Sequence, residues 1–392
     1  PARLQVQPQV LEGNGHLSRN RARIGTDFHY RARSPRSVPL PGGCIRSAGR
    51  YVWHGEYLDD ETIIMKARRL GGSDLDISVL GLGTNNFGTR LDINAAAAVI
   101  DECQEQGINF LDTADVYADG RSEQFLGQLL AGRRDDFIVA TKIGMPWEDG
   151  SLRGGLDPAY IERGVRKSLH RLNTDRIDLL QLHLLDSRVP VDDVLGVLGQ
   201  LVDAGLVRHI GCSNFMGWEL VEWIMTALHG GLPPFVSIQI EYSMLVRDAE
   251  TELLSACDRW QVGLIPYRPL AQGFLTGKYA RGDAPPQGTR LDLQETVRRK
   301  RETPENWTAV EAVVDLAKEK ACTPAQLAAA WLLTRPQVTT VIAGASTPEQ
   351  IRDNAKAVNV VLTTEDLNLL DDSLPTIPGG AVGAVELRDQ LR

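Results

Sequence analysis

The chain has 392 residues, enough for two or three domains of ordinary size or for one α/β barrel. Apolar residues make up 43% and charged residues 24%, a balance that supports a large core and excludes disorder along the whole length. The net charge of −9 argues against nucleic acid or an anionic membrane as the main partner, although a local pocket for a small anion need not share the global sign.

Residues 1–64 carry nine arginines, no lysine and six acidic residues, a net +3, whereas the remainder carries −12. Positions 13–50 are rich in Arg, Ser, Gly and Pro and show no helical or strand period. They resemble neither a secretory signal, which needs an apolar centre, nor a packed domain. All methionines lie at 65 or later. Residues 1–64 are therefore expected to be a disordered or non-native extension, and 65–392 the folded unit with its C-terminal tail. On this reading Met65 is the native start; a transit peptide is the weaker alternative. No apolar run reaches the ~18 residues of a transmembrane helix, so no membrane partner is expected. Cys44, Cys103, Cys212, Cys257 and Cys322 are odd in number and include no C-x-x-C pair. That fits buried thiols in a reducing, cytoplasmic compartment, with no disulfide framework and no metal.

From Met65 onward, short apolar runs alternate with helical patterns. Strands are expected at 77–83, 109–112, 137–142, 177–183, 207–213, 235–241, 262–267 and 338–342. Helices are expected near 93–106, 122–130, 158–172, 191–204, 217–228, 249–260, 304–320, 324–334 and 348–357, with a long polar loop before the helix at 304. In 194–204, Val194, Leu195, Leu198, Leu201 and Val202 share one face. The strands are nearly continuously apolar, as when both faces are covered. Eight such units predict a closed (β/α)8 TIM barrel, of α/β class, with an open doubly wound sheet as the alternative. A dinucleotide fingerprint is not met at Gly81-Leu82-Gly83-Thr84-Asn85-Asn86-Phe87-Gly88: the last glycine comes too late and no helix opens there.

In such a barrel the chemistry sits at the C-terminal ends of strands. There the sequence places Asp112 with Tyr117 five residues on, Lys142, His183, Ser213-Asn214, Gln239, Tyr267 and Gly344-Ala345-Ser346. Each has an ordinary structural explanation alone: a cap, a half-buried tyrosine, a solvated lysine, a core histidine. Their gathering at one rim argues for a site. A phenol is too weak an acid at neutral pH; a neighbouring ammonium lowers its pKa, and a carboxylate keeps that ammonium charged and aimed. Asp112, Lys142 and Tyr117 are the right types for this relay, and a neutral His183 suits a carbonyl oxygen. No nucleophile has a base beside it in sequence, and the one strand-end histidine lacks a spaced partner, so acyl transfer and a hydrolytic metal centre fit poorly. A carbonyl protonated in this way needs a hydride that side chains lack, which implies a nicotinamide. Ser213, Asn214 and Gln239 suit its carboxamide, Tyr267 its ring, and the segment from Gly344 to Gln350, opening a helix, an adenosine phosphate.

Residues Phe110-Leu111-Asp112-Thr113-Ala114-Asp115-Val116-Tyr117, Ala140-Thr141-Lys142, Asp178-Leu179-Leu180-Gln181-Leu182-His183 and Ile210-Gly211-Cys212-Ser213-Asn214-Phe215 resemble the aldo-keto reductase family. The resemblance runs from Met65 to about Pro378. The stretches 266–279 and 344–354 are similar to a bacterial branch related to potassium-channel β subunits and general stress proteins. The resemblance implies a catalytic tetrad of Asp112, Tyr117, Lys142 and His183, with Tyr117 as general acid. It implies NADPH, with NADH as the alternative, held in an extended pose without a Rossmann fold, and reversible reduction of small aldehydes or ketones to alcohols. By the same route Gly83, Thr84, Ser213, Asn214, Gln239, Tyr267, Pro269, Leu270, Gly273, Lys278, Gly344, Ser346, Gln350 and Asn354 become cofactor contacts. Two departures stand out. Arg268 replaces the Ser or Phe common beside the stacking tyrosine, and it either contacts a phosphate or points to solvent. Gly344 and Gln350 stand where many members carry the Lys and Arg that neutralise a 2′-phosphate. Selectivity is expected from 145–156, 282–298 and the tail after 378, with Trp147 and Tyr57 as aromatic walls; the long polar loop with Arg290, Arg298 and Arg299 is either a solvated charge run or a cover for cofactor phosphates. Gly120-Arg121-Ser122-Glu123 fits a phosphate contact or a helix start. Two other functions remain open: a nicotinamide-sensing binding subunit of the same fold, and an aldolase using Lys142 as a Schiff base.

Overall fold

The computed structural model describes residues 63–145 and 155–376, together with the backbone of two strands upstream, Ile45–Ser47 and Arg50–Val52. Those two pair antiparallel, Ile45 opposite Val52, in a unit of their own, where composition shows no strand period. The rest of 1–62 with Tyr57, residues 146–154 with Trp147, and 377–392 lie outside the described residues.

The alternation of short apolar runs and amphipathic segments becomes eight strands: β1 (Leu80–Gly83), β2 (Phe110–Asp112), β3 (Ile138–Ile143), β4 (Ile177–Leu182), β5 (Val207–Ser213), β6 (Ser237–Glu241), β7 (Gly263–Tyr267) and β8 (Val341–Gly344). Neighbours are parallel in the order β7-β6-β5-β4-β3-β2-β1-β8. Closure comes just before β8: the Leu264 N–H donates to Gln337 O and the Thr339 N–H to Leu264 O, both at 2.9 Å. The sheet is a closed barrel, and the open alternative falls away.

The helices between strands are α1 (Ile93–Glu105), α2 (Arg121–Leu129), α3 (Pro158–Arg171), α4 (Val191–Asp203), α5 (Gly217–His229) and α6 (Leu253–Trp260). The loop after β7 holds two short helices, α7 (Arg290–Leu293) and α8 (Glu295–Arg301), before α9 (Pro304–Glu319) and α10 (Pro324–Leu333). After β8 come α11 (Pro348–Ala355) and α12 (Thr364–Ser373). Four helices start the same way: Asp157, Thr303, Thr323 and Thr347 cap with their side chains, and a proline follows at the first helical position. The cap satisfies a free N–H, and proline has none to lose.

Packing falls into two layers. The larger core fills the space between strands and helices. A second cluster, Phe110, Ala140, Leu179, Ile265 and Ile342, is contributed by strands from all round the barrel and so occupies its interior. It is completed by Leu70, Leu75 and Ile77 from a hairpin, Ala67–Arg69 with Asp76–Ser78. The hairpin departs from the sequence expectation of one strand over 77–83. Asp76–Ser78 pairs back onto Ala67–Arg69, and only Leu80–Gly83 enters the barrel. Burying Leu70 and Leu75 against the interior cluster explains why: a barrel end left open would expose that apolar layer. The helix expected over 249–260 is shorter, because Asp248–Glu250 forms a separate turn.

Candidate active site

Residues two apart on a strand share a face. Following the interior apolar layer by two positions gives the next layer up: Phe110 leads to Asp112, Ala140 to Lys142, Leu179 to Gln181 and then His183, and Ile265 to Tyr267. Ser213 and Gln239, opposite each other in the β5–β6 register, complete it. Above this layer opens a cavity of about 590 Å³.

Asp112, Tyr117 and His183 line the cavity; Lys142, 1% exposed, lies just behind them. Lys142 Nζ donates to Asp112 Oδ2 at 2.5 Å, to Thr113 O at 3.0 Å and to Tyr117 Oη at 3.2 Å. Three donated bonds require the ammonium form. A nitrogen so engaged has no lone pair for a carbonyl, and the Schiff-base alternative loses its support. Tyr117 is brought over the lysine by a tight turn, Tyr117–Gly120, in which Ala118 and Asp119 take left-handed φ values of 53° and 57°. The ambiguity at Gly120–Glu123 resolves as a helix start: Gly120 caps α2, and Ser122 and Glu123 are fully buried. Glu123 accepts from Thr141 Oγ1 and Arg171 Nε, each at 2.6 Å.

Burial would depress the Lys142 pKa, but the Asp112 carboxylate and the Tyr117 phenol raise it above the ordinary value. For Tyr117 the expected lowering is reversed. Lys142 pulls the phenol down, yet burial and then the Asp112 charge outweigh it, and its pKa stands above the ordinary value. The phenol therefore keeps its proton through the neutral range. Burial, reinforced by the Lys142 charge, holds His183 well below 6.5 and neutral. Its ring stands edge-on to Tyr117, centroids 6.0 Å apart at 77°. His183 Nδ1 is buried with no partner among the described residues. A proton-holding phenol and a neutral imidazole thus meet at the wall of one cavity, an arrangement suited to a carbonyl oxygen.

Along one wall, Asn214, at φ 59°, donates to His183 O at 3.0 Å and Ser213 Oγ at 3.1 Å, and accepts from Tyr267 Oη at 2.8 Å. Gln239 Nε2 donates to Asp112 Oδ1 at 2.8 Å. Gly83, Pro269, Leu270, Gly273, Lys278, Gly344, Ser346 and Gln350 also line the cavity. Thr84 and Asn354 do not. Thr84 is fully buried and braces the β2 end by donating to Asp112 O at 3.0 Å, and Asn354 lies in α11 away from the wall. Arg268 is solvent-exposed and also lines the cavity: its side chain, 45% accessible, pairs with Glu241 at 3.0 Å and lies 5.7 Å from the Tyr267 ring.

Sequence reasoning passed over Gln181, Asn86 and Arg90. The two-residue alternation back from His183 was the available signal for Gln181; Arg90 had none. Asn86 Nδ2 donates to Ala345 O at 2.8 Å, tying the β1 loop to the β8 loop, and Arg90 follows four residues on. Arg90 and Arg290 both line the cavity, and neither these two nor Lys278 forms an ion pair among the described residues. Burial first, and then the neighbouring Arg90 and Arg268 charges, lower the Arg290 pKa. Among the described residues no cluster of three metal-ligating side chains occurs, and no helix is long and apolar enough to cross a membrane.

Residues 79–375 match the model of the Aldo/keto reductase family. The chain is 37% identical over 328 residues to the uncharacterized oxidoreductase YrpG of Bacillus subtilis (strain 168), spanning 81% of this chain and 98% of that protein. It is 35% identical over 307 residues to a probable voltage-gated potassium channel subunit beta of Arabidopsis thaliana, spanning 76% and 92%. A rice protein of the same description, from Oryza sativa subsp. japonica, is 33% identical over 323 residues, spanning 80% and 98%.

Proposed function

The chain belongs to the aldo/keto reductase family and is an oxidoreductase, and from that premise we propose that it reduces aldehydes or ketones to alcohols with a nicotinamide cofactor, NADPH ahead of NADH, Tyr117 acting as the general acid. The observation that carries this reading is the Tyr117 phenol, 3.2 Å from an ammonium held by Asp112, beside a neutral His183 in one cavity.

The donor set fits such a cofactor. The cavity lining combines amide and hydroxyl groups with the cations Arg90, Arg290 and Lys278, which have no carboxylate partner among the described residues. Ser213, Asn214 and Gln239 would hold the carboxamide and Tyr267 would stack on the ring. Lys278, Arg90, Arg290, Ser346 and Gln350 would take the phosphates, the arginines supplying the charge that Gly344 and Gln350 lack. When bound, the cofactor supplies the hydride. The protein's own part is proton transfer. His183 orients the carbonyl oxygen, the Tyr117 phenol gives that oxygen its proton, and the Lys142 ammonium stabilises the phenolate left behind. Asp112 keeps Lys142 charged and pointed at the phenol. In the oxidative direction the same groups run in reverse.

The test is turnover in the protein and in Tyr117→Phe, following loss of reduced-nicotinamide absorbance with a panel of aldehydes. Removal of the acid lowers kcat by about 100-fold or more with nucleotide affinity retained. The β-subunit names among the relatives favour a second reading, a nicotinamide-sensing binding subunit; tight nucleotide binding without turnover on any carbonyl would establish it instead.

A further inference from the structure

Asp112 Oδ1 is a shared acceptor. It takes Nε2–H from Gln239 at 2.8 Å and from Gln181 at 3.2 Å, while Oδ2 takes the Lys142 ammonium at 2.5 Å. The two amides also touch, Gln239 Nε2 lying 3.4 Å from Gln181 Oε1. Gln181 is fully buried, opposite Lys142 in the β3–β4 register and two residues before His183. The amides differ in one respect: Gln239 lines the cavity and Gln181 does not. A side chain on the cavity wall is open to a competing ligand; one buried behind it is not. When Gln239 turns its amide toward a cavity ligand, Gln181 is the donor that stays on Asp112.

We propose that Gln181 is a positioning residue for the proton donor. It fixes the Asp112 carboxylate against the Lys142 ammonium, and so acts on Tyr117 through Asp112 and Lys142 without touching substrate. The inference rests on the reading of Tyr117 as the acid. Removing this donor leaves a buried carboxylate with one fewer partner whenever Gln239 is engaged elsewhere, and an ammonium aimed less well at the phenol.

Two substitutions test it in the full chain, each with NADPH affinity by fluorescence and kcat across pH 5 to 9. Gln181→Met keeps the volume and removes the donor; kcat falls about 10- to 100-fold at every pH while NADPH affinity stays within about twofold. Gln181→Glu donates only as the carboxylic acid, so its kcat recovers toward the parent value as pH falls and is lost as pH rises. A packing role alone would lower the melting temperature of Gln181→Glu in parallel with kcat as pH rises; the positioning role loses kcat at pH values where the melting temperature is still level. If Gln181→Met does not fold, the pH profile of Gln181→Glu decides the matter. Parent-like kcat in Gln181→Met, a parent-shaped profile in Gln181→Glu, or a loss confined to NADPH affinity overturns the proposal. Absence of turnover in the parent with every aldehyde overturns the reading of Tyr117 as the acid, and this inference with it; turnover in the parent with unaffected variants removes this inference alone.

Discussion

At the scale of the residue, the site is governed by desolvation. Lys142 and His183 are buried and Tyr117 is half-buried at the cavity wall, so each protonation state is set by burial and by the charges beside it. Lys142 remains charged because Asp112 compensates; His183 is neutral because nothing does. Asp115 extends the pattern. It is 3% exposed, its Oδ1 has no partner among the described residues, and its main neighbour is the carboxylate of Glu123. Burial first, and Glu123 second, push its pKa up to about 7, against the partial relief of Arg171. A folded pKa above the unfolded one means the folded chain binds the extra proton, so stability declines as pH rises from about 4 to about 7 and is level above that. Asp115→Asn removes the charge. Its stability is expected to exceed the parent's by a margin that widens from pH 4 to pH 7, by at most ~4 kcal/mol, and its melting temperature follows the same trend. Thermal unfolding of both proteins at pH 4, 5.5, 7 and 8 checks this; a constant margin would show that Asp115 does not titrate in that window.

At the scale of the element, the starts of helices were plain in the sequence because they are local. Asp-Pro and Thr-Pro pairs satisfy a cap and a first-turn position within a few residues. The strands were legible for the same reason, as short apolar runs between such caps. The hairpin before β1 and the helix α12 were not. An Ile77-to-Gly83 run reads as one strand until its first part finds a partner in Ala67–Arg69, and that pairing depends on a barrel end needing cover. Leu70, fully buried, is one of three side chains that the hairpin contributes to the interior, with Leu75 and Ile77. Leu70→Ala is expected to cost about 2–5 kcal/mol, as a cavity between the hairpin and Leu179 or Ile265 does not refill. Urea unfolding reads this directly. A cost below about 1 kcal/mol would mean the barrel end closes without the hairpin.

At the scale of the whole molecule, an acidic chain carries a basic mouth. The net charge is −9, yet Arg90, Arg268, Arg290 and Lys278 line one cavity with Glu241 pairing only Arg268 among them. Such a contrast concentrates anions at the mouth. Arg290→Ala is expected to weaken NADPH by about 10-fold and leave NADH within about twofold, a charged hydrogen-bond donor to the 2′-phosphate being lost. Nucleotide titrations at two salt concentrations check both the ratio and its screening. Equal losses for the two nucleotides would place Arg290 on the pyrophosphate.

Sequence by itself determined the kinds of element, the eightfold alternation of strand and helix, and the polar residues that end the strands, because periods of two and 3.6 and caps within four residues are written in neighbouring positions. Only the tertiary structure decided what those residues are to one another. Lys142 meets Asp112 across 30 positions, Gln181 meets it across 69 and Gln239 across 127. Those meetings exist because the barrel closes and staggers its strands. The burial that closure produces sets the protonation of Tyr117 and His183, reversing the direction that residue types alone suggested for the phenol.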